Sequence, residues 1–246
     1  MIVLKLRLDF VASVPKDLEQ ADLNEDNWAT SPDLTCFALS DGASESYDSK
    51  RWSEMLVNKY ASNPAFLPDW VHQAVAEYNS GIDFSNLSWS QQMAFDRGSY
   101  ATLLTLQLAE NGVEAEILSV GDSLAIHCRT GEVLMSYPFT LPEQFDERPQ
   151  LLSTLSGGND FLAETNLFHK RTCKTWHLVE GDVIYLMTDA VGQWFLRCLS
   201  SVPSSLEALS KVDTFDAFIE LVHRCRSEGN MKLDDSTMLR LVVENG

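Results

Sequence analysis

The sequence predicts an α+β fold, and three observations carry that expectation. From Tyr100 onward, short apolar runs alternate with turn residues. Residues 101–108, 113–120, 124–128 and 132–137 are separated by Glu110-Asn111-Gly112, Gly121-Asp122-Ser123 and Thr130-Gly131, which together read as an antiparallel meander. Residues 51–61, 68–78, 191–199 and 215–226 instead repeat apolar side chains at helical spacing, for example Phe215, Phe218, Ile219, Val222 and Cys225. No repeat, low-complexity tract or linker interrupts the chain, so the expectation is a single domain over residues 1–246.

Taken in order, residues 2–14 alternate like a strand, with Ile2, Leu4, Leu6 and Leu8 on one face and Val3, Lys5, Arg7 and Asp9 on the other. A polar connection over residues 16–24 leads to Asn24-Glu25-Asp26. Residues 35–40 form a buried strand that runs into Asp41-Gly42. Pro68 opens the second helix near its first position. Residues 80–90 are polar and read as a loop. Residues 140–170 are irregular around Ser156-Gly157-Gly158-Asn159. Strands follow at 172–179 and 183–187, the latter ending in Thr188-Asp189-Ala190. Asp234-Asp235-Ser236-Thr237 introduces a last strand over 238–243.

Composition narrows the function classes. The chain has 36 acidic and 18 basic residues and a formal net charge of -18, which repels nucleic acid and anionic membrane surfaces. Its 5 cysteines are scattered at positions 36, 128, 173, 198 and 225, a pattern of neither a disulfide framework nor a zinc site. The first residues alternate apolar and charged instead of forming a signal-peptide block, and no run reaches the roughly 20 apolar residues of a membrane span. A cytoplasmic location is expected.

Acids stand at the ends of the apolar strands: Glu25-Asp26, Asp41-Gly42, Asp189 and Asp234-Asp235. Each alone is ordinary turn or cap chemistry. Brought together they would repel one another, and divalent cations, which take carboxylate and carbonyl oxygens, would relieve that repulsion. In order along the chain, Asn24-Glu25-Asp26, Ser40-Asp41-Gly42, Gly98-Ser99-Tyr100-Ala101-Thr102, Gly121-Asp122-Ser123, Thr188-Asp189-Ala190 and Asp234-Asp235-Ser236-Thr237 resemble the motifs of the PP2C-type metal-dependent protein serine/threonine phosphatases.

That resemblance, which spans residues 24–243, implies a four-layer α-β-β-α sandwich, two antiparallel sheets flanked by helices, with a site at one end of the sheets. It implies two magnesium or manganese ions. Asp41 would bridge them as the candidate catalytic residue. Asp189 and Asp234 would complete one ion's shell, and Glu25 and the Gly42 carbonyl the other's. Asp96 would reach a third ion, Asp26 would support from behind, and Asp122 would shape its hairpin. Residues 140–170 match the place of a flap beside the site. The implied reaction is hydrolysis of phosphoserine or phosphothreonine, on a protein, by a metal-activated water. The alternatives are a weakly active or inactive binding module of the same fold and a phosphatase for a small phosphorylated metabolite.

Three departures stand out. Ala21 occupies the position of the family's phosphate-gripping Arg, and Lys16 is one basic residue that could substitute, as a point charge without a bidentate fork. Ala43 follows Asp41-Gly42 where some members have a His. Ala190 replaces a Gly, so the turn after Asp189 is expected to differ. None of the 5 His residues falls in a recognisable motif.

Overall fold

A computed structural model describes residues 3–44, 46–66, 68–164, 174–202 and 204–246. Two five-stranded sheets, each wholly antiparallel, carry the fold. One has the order β1 (Leu4–Val14), β12 (Ser236–Asn245), β11 (Val183–Met187), β7 (Leu124–Arg129), β8 (Glu132–Tyr137). The other has the order β10 (Lys174–His177), β6 (Glu114–Val120), β5 (Leu103–Leu108), β3 (Cys36–Ser40), β2 (Asn27–Thr30). The helices are α1 (Ser49–Ser62), α2 (Pro68–Ser80), α3 (Trp89–Asp96), α4 (Phe161–Glu164), α5 (Asp189–Cys198), α6 (Ser205–Ser210) and α7 (Phe215–Ser227).

The layers follow from which side chains are buried together. Leu4, Leu6, Phe37, Leu39, Leu104, Ile117, Ile184 and Leu239 come from both sheets and form the central core between them. The outer face of the β1 sheet packs on α5–α7 through Met187, Trp194, Phe218 and Val222. The outer face of the β3 sheet packs on α1 and α2 through Ala38, Trp52, Leu56, Trp70 and Tyr78. This is the expected α-β-β-α sandwich, and burying both faces of each sheet explains why β3 is buried throughout, with a continuous apolar run over Cys36–Leu39 instead of an alternation.

Strand β1 needs a bulge to serve two cores. The register against β12 shifts between Leu8 and Phe10. Before the shift, Leu4, Leu6 and Leu8 point into the central core; after it, Phe10, Ala12 and Val14 point at the helices. An extra residue in one strand shifts the alternation in this way.

Several expectations change. The run of strands from residue 101 to 137 is not one meander: β5–β6 and β7–β8 are hairpins in different sheets, and Gly121-Asp122-Ser123 is the crossover between them. Gly121 has φ +97°, and a Cβ there would lie 2.7 Å from Thr102, so the crossover requires glycine. Residues 80–90 are not simply a loop, because α3 begins at Trp89. Its signal is a capping box, with Ser88 accepting from the Gln91 N–H and the Gln91 side chain returning to the Ser88 N–H. Ala190 lies in the first turn of α5 and is not at positive φ, so the expected difference in the turn does not arise.

Within the irregular stretch, Tyr100–Ala101 (β4) pairs with Leu152–Ser153 (β9), and Trp52 Nε1 donates to the Leu152 carbonyl at 2.9 Å. These contacts hold Pro149 and Leu151 beside the strand ends that carry the acids. Residues 165–170 of the expected flap and residues 172–173 of the expected strand lie outside the described residues. Cys36, Cys128, Cys198 and Cys225 are free. No helix of the described residues is long and apolar enough to cross a membrane.

Candidate metal centre

Strand register explains why acids distant in sequence meet. Asn27 pairs with Ser40, which sets Asp26 beside Asp41. Met187 pairs with both Met238 and Leu124, which brings Asp189, Asp234-Asp235 and Asp122 to the same end of the sandwich. Asp41, Asp122, Asp189 and Asp234, with Gly42, Ala43 and Ser44, line one cavity of about 160 Å³. Glu25 lines an adjoining cavity with Lys16, Ser44 and Ser49.

The backbone around Asp41 is fixed by one residue. Thr102 accepts the Asp41 N–H on its Oγ1 at 2.8 Å and donates its own N–H to the Asp41 carbonyl at 2.9 Å. Gly42 is required by packing against α1: a Cβ there would lie 2.9 Å from the Ser49 carbonyl oxygen. Burial, then the charges of Asp26, Asp189, Asp234 and Asp122, push the Asp41 carboxyl well above the usual range. Burial and the Asp189 charge likewise raise Asp234, with Lys232 opposing. Asp122 is pushed up to about 6, by burial first and by Asp189 next.

A second tier of groups braces these acids. Asp26 Oδ2 accepts from Thr188 Oγ1 at 3.0 Å and from Thr237 Oγ1 at 2.7 Å, and Thr188 Oγ1 accepts the Thr237 N–H at 2.9 Å. Asp26 thereby links β2, β11 and β12 behind Asp41. Burial raises its carboxyl strongly, and the threonine bonds oppose that rise. Asp235, which sequence reasoning treated only as part of a pair, accepts the Lys16 N–H at 2.7 Å and the Glu25 N–H at 2.8 Å. It pins the segment that presents Glu25 to the start of β12. Arg226 of α7 donates to the Pro15 carbonyl at 3.0 Å and the Asp234 carbonyl at 2.5 Å, holding the turn that presents Asp234.

The expected ligands are thus distributed unevenly. Asp41, Gly42, Asp189 and Asp234 share a cavity, Glu25 stands next to it, and Asp96 does not join them. Asp96 is exposed at the C-terminal end of α3 and is absent from the acidic lining, where Asp122 stands instead. Asp122 was expected to shape a hairpin. It does not, because β6 and β7 belong to different sheets. The sequence shows the Gly121-Asp122-Ser123 turn but not which sheet the next strand joins, so it carries no signal for this placement.

The donor set fits a hard divalent cation. All its side-chain donors are carboxylate oxygens, and Asp189 Oδ1 and Asp26 Oδ1 are buried acceptors with no hydrogen-bond partner. Among the described residues, however, no three such side chains already close on a common point that could hold a metal ion. Two ammonium groups serve as counter-charges. Lys232 donates to Asp189 Oδ2. Lys16 Nζ donates to Glu25 Oε2 at 3.0 Å and to Ser44 Oγ at 2.7 Å. Ser44 and Ser49 also donate to the Glu25 carboxylate. Lys16 is therefore engaged with Glu25, and Ala21 lies exposed on the turn over Leu18–Leu23. Of the His residues, buried His127 stacks on Trp176 and bonds Asp182 at 2.8 Å, a packed role at the other end of the strands.

No protein-family model and no curated protein sequence matches the chain. Solved structures do. The catalytic domain of the serine threonine protein phosphatase PstP, solved with 2 manganese ions, is 18% identical with a TM-score of 0.60, over 99% of this chain and 100% of that one. PppA, described as a regulatory component of T6SS in Pseudomonas aeruginosa, is 20% identical with a TM-score of 0.54, over 97% and 98%. RsbX, solved in complex with magnesium, is 14% identical with a TM-score of 0.53, over 99% and 100%. At these identities the likeness is one of fold, and in fold the chain is a PP2C-like α-β-β-α sandwich.

Proposed function

We propose that this chain is a magnesium- or manganese-dependent phosphatase that hydrolyses phosphoserine or phosphothreonine, on a protein substrate. The observation that carries the reading is the shared cavity of Asp41, Asp122, Asp189 and Asp234 at the strand ends, with Glu25 beside it. That the solved structures of like fold include a serine threonine protein phosphatase complexed with manganese supports it.

Asp41, Asp189, Asp234, Glu25 and the Gly42 carbonyl would hold the ions. Bound divalent ions would supply Lewis acidity, acidifying a water and neutralising phosphoryl charge. The chain's own part is positional. Thr102 clamps the Asp41 backbone and Asp26 ties three strands behind it, which fixes the strand ends that carry the carboxylates. The crowding that raises Asp41 and Asp234 is electrostatic work that a divalent cation would recover. Among the described residues, no side chain lining the cavity is a Cys or a His, which suits direct attack by water. The test is phosphate release from phosphoserine and phosphothreonine peptides with manganese, with EDTA and with Asp41→Asn. Turnover that needs the metal and falls at least 100-fold, about 2.7 kcal/mol, in the variant is expected; turnover indifferent to both refutes the reading.

A second reading has its own observation. Because Lys232 and Lys16 already bond Asp189 and Glu25, the chain could serve as a non-hydrolytic binding module whose acids are neutralised internally. Metal-independent stability with no turnover on any phosphopeptide would favour it.

A further inference from the structure

Beside the acidic cavity lies a wider one of about 870 Å³, and the two share Ala43, Ser44, Pro149, Leu151 and Asp234. Its lining includes Arg97 and Arg148. The sequence places these residues 51 positions apart, Arg97 just after α3 and Arg148 just before Pro149; the pairing of β4 with β9 brings their segments to one mouth.

Two features make the pair notable in a chain of net charge -18. Neither guanidinium is in an ion pair or a side-chain hydrogen bond among the described residues, whereas Arg7, Arg129 and Arg240 are each tied to carboxylates. Neither lines the inner acidic cavity, so what they meet is not the reacting phosphoryl group but the part of a substrate lying outside it. A guanidinium fork matches a carboxylate in bidentate fashion. Around the two arginines the wall is formed by Tyr100, Leu151 and Phe161, which would pack against side chains of an extended ligand. The volume is that of a site for a ligand well larger than phosphate.

We infer that Arg97 and Arg148 form an anion subsite that selects phosphopeptides bearing acidic residues next to the phosphorylated one. Without such a subsite, an acidic peptide would be repelled by the protein's field; with it, the peptide's carboxylates find the two positive charges that, among the described residues, line this cavity. The inference rests on the phosphatase reading for the place of the phosphoryl group, but the subsite itself is a matter of binding.

The experiment therefore measures binding. Fluorescent peptides carrying a non-hydrolysable difluoromethylene phosphonate in place of phosphoserine are made in two versions, one flanked by Glu and Asp and one by Gln and Asn. Anisotropy with wild-type protein and manganese is expected to show the acidic version binding about tenfold tighter, with the preference shrinking at high salt. The ratio should fall to about one in the Arg97→Ala/Arg148→Ala protein, hold part of its value in the double Lys protein, and invert in the double Glu protein. Circular dichroism and melting temperature identify any variant that misfolds, and the conservative Lys variant then decides. A wild-type ratio within about twofold of one, or a ratio unchanged by the substitutions in folded protein, overturns the subsite. Turnover of ordinary phosphopeptides is assayed separately: a preserved binding preference with no hydrolysis supports the subsite and refutes the phosphatase reading.

Discussion

Replacing Asp122 by Asn should stabilise the metal-free protein. Asp122 is buried at the crossover between the sheets, and burial together with the Asp189 charge lifts its carboxyl from an ordinary 3.8 to about 6, although Lys232 pulls the other way. Because the folded-state value lies above the unfolded one, the folded protein holds the proton more tightly. The ionised carboxylate therefore costs stability as pH rises from the unfolded value to about 6. At 1.36 kcal/mol per pH unit, that cost at neutral pH is about 3 kcal/mol. Asn keeps the shape and removes the charge, so at pH 7.5 with EDTA its melting temperature should rise by about 6–12 °C, taking about 2–4 °C per kcal/mol for a chain of this size. The gain should shrink as pH falls and approach zero only near pH 3, below both values, where the wild-type acid is mostly protonated in both states. A gain of equal size at both pH values, or a loss at pH 7.5, would refute the electrostatic account of this cavity.

Other outcomes follow from the same contacts. Lys232→Met should bind manganese about tenfold more tightly by calorimetry, since it removes the ammonium that occupies Asp189; an unchanged or weaker affinity would mean that Lys232 supports the ions instead of competing with them. Asp182→Asn should destabilise the protein by about 2–4 kcal/mol in urea unfolding, because it strips the charge partner from Arg129 and the acceptor from buried His127. Burial raises Asp182, but the Arg129, Val179 and His127 bonds outweigh it and hold its carboxyl below the usual value. Its contribution is thus present above about pH 4 and lost as pH falls through the lower folded value, so the deficit of the variant should narrow in acid.

How much of this could be read from the sequence depended on whether the determining contact was local. β11 was legible to the residue, since Val183–Met187 is an apolar run bounded by a turn and by Thr188-Asp189. Asp41, Asp189 and Asp234 were legible because each ends or precedes such a strand. Turn chemistry at Gly121 was visible, but a turn does not say which sheet the next strand joins, so the role of Asp122 was missed. Asp96 was chosen for its closeness to Gly98; it is the exposed last residue of α3 and does not line the acidic cavity. The six-residue α6 and four-residue β2 have too few positions to show a period. Lys16 on Glu25, Lys232 on Asp189, and the pairing of Arg97 with Arg148 across one cavity are long-range or loop contacts that periodicity does not encode.

The central claim is that the acids at the strand ends form a centre for divalent ions. Calorimetric titration of manganese into metal-stripped protein tests it most directly. The account predicts saturable binding of two ions that is lost or reduced at least tenfold in Asp41→Asn, with both proteins folded. No saturable binding, or binding unchanged by Asp41→Asn, would contradict it.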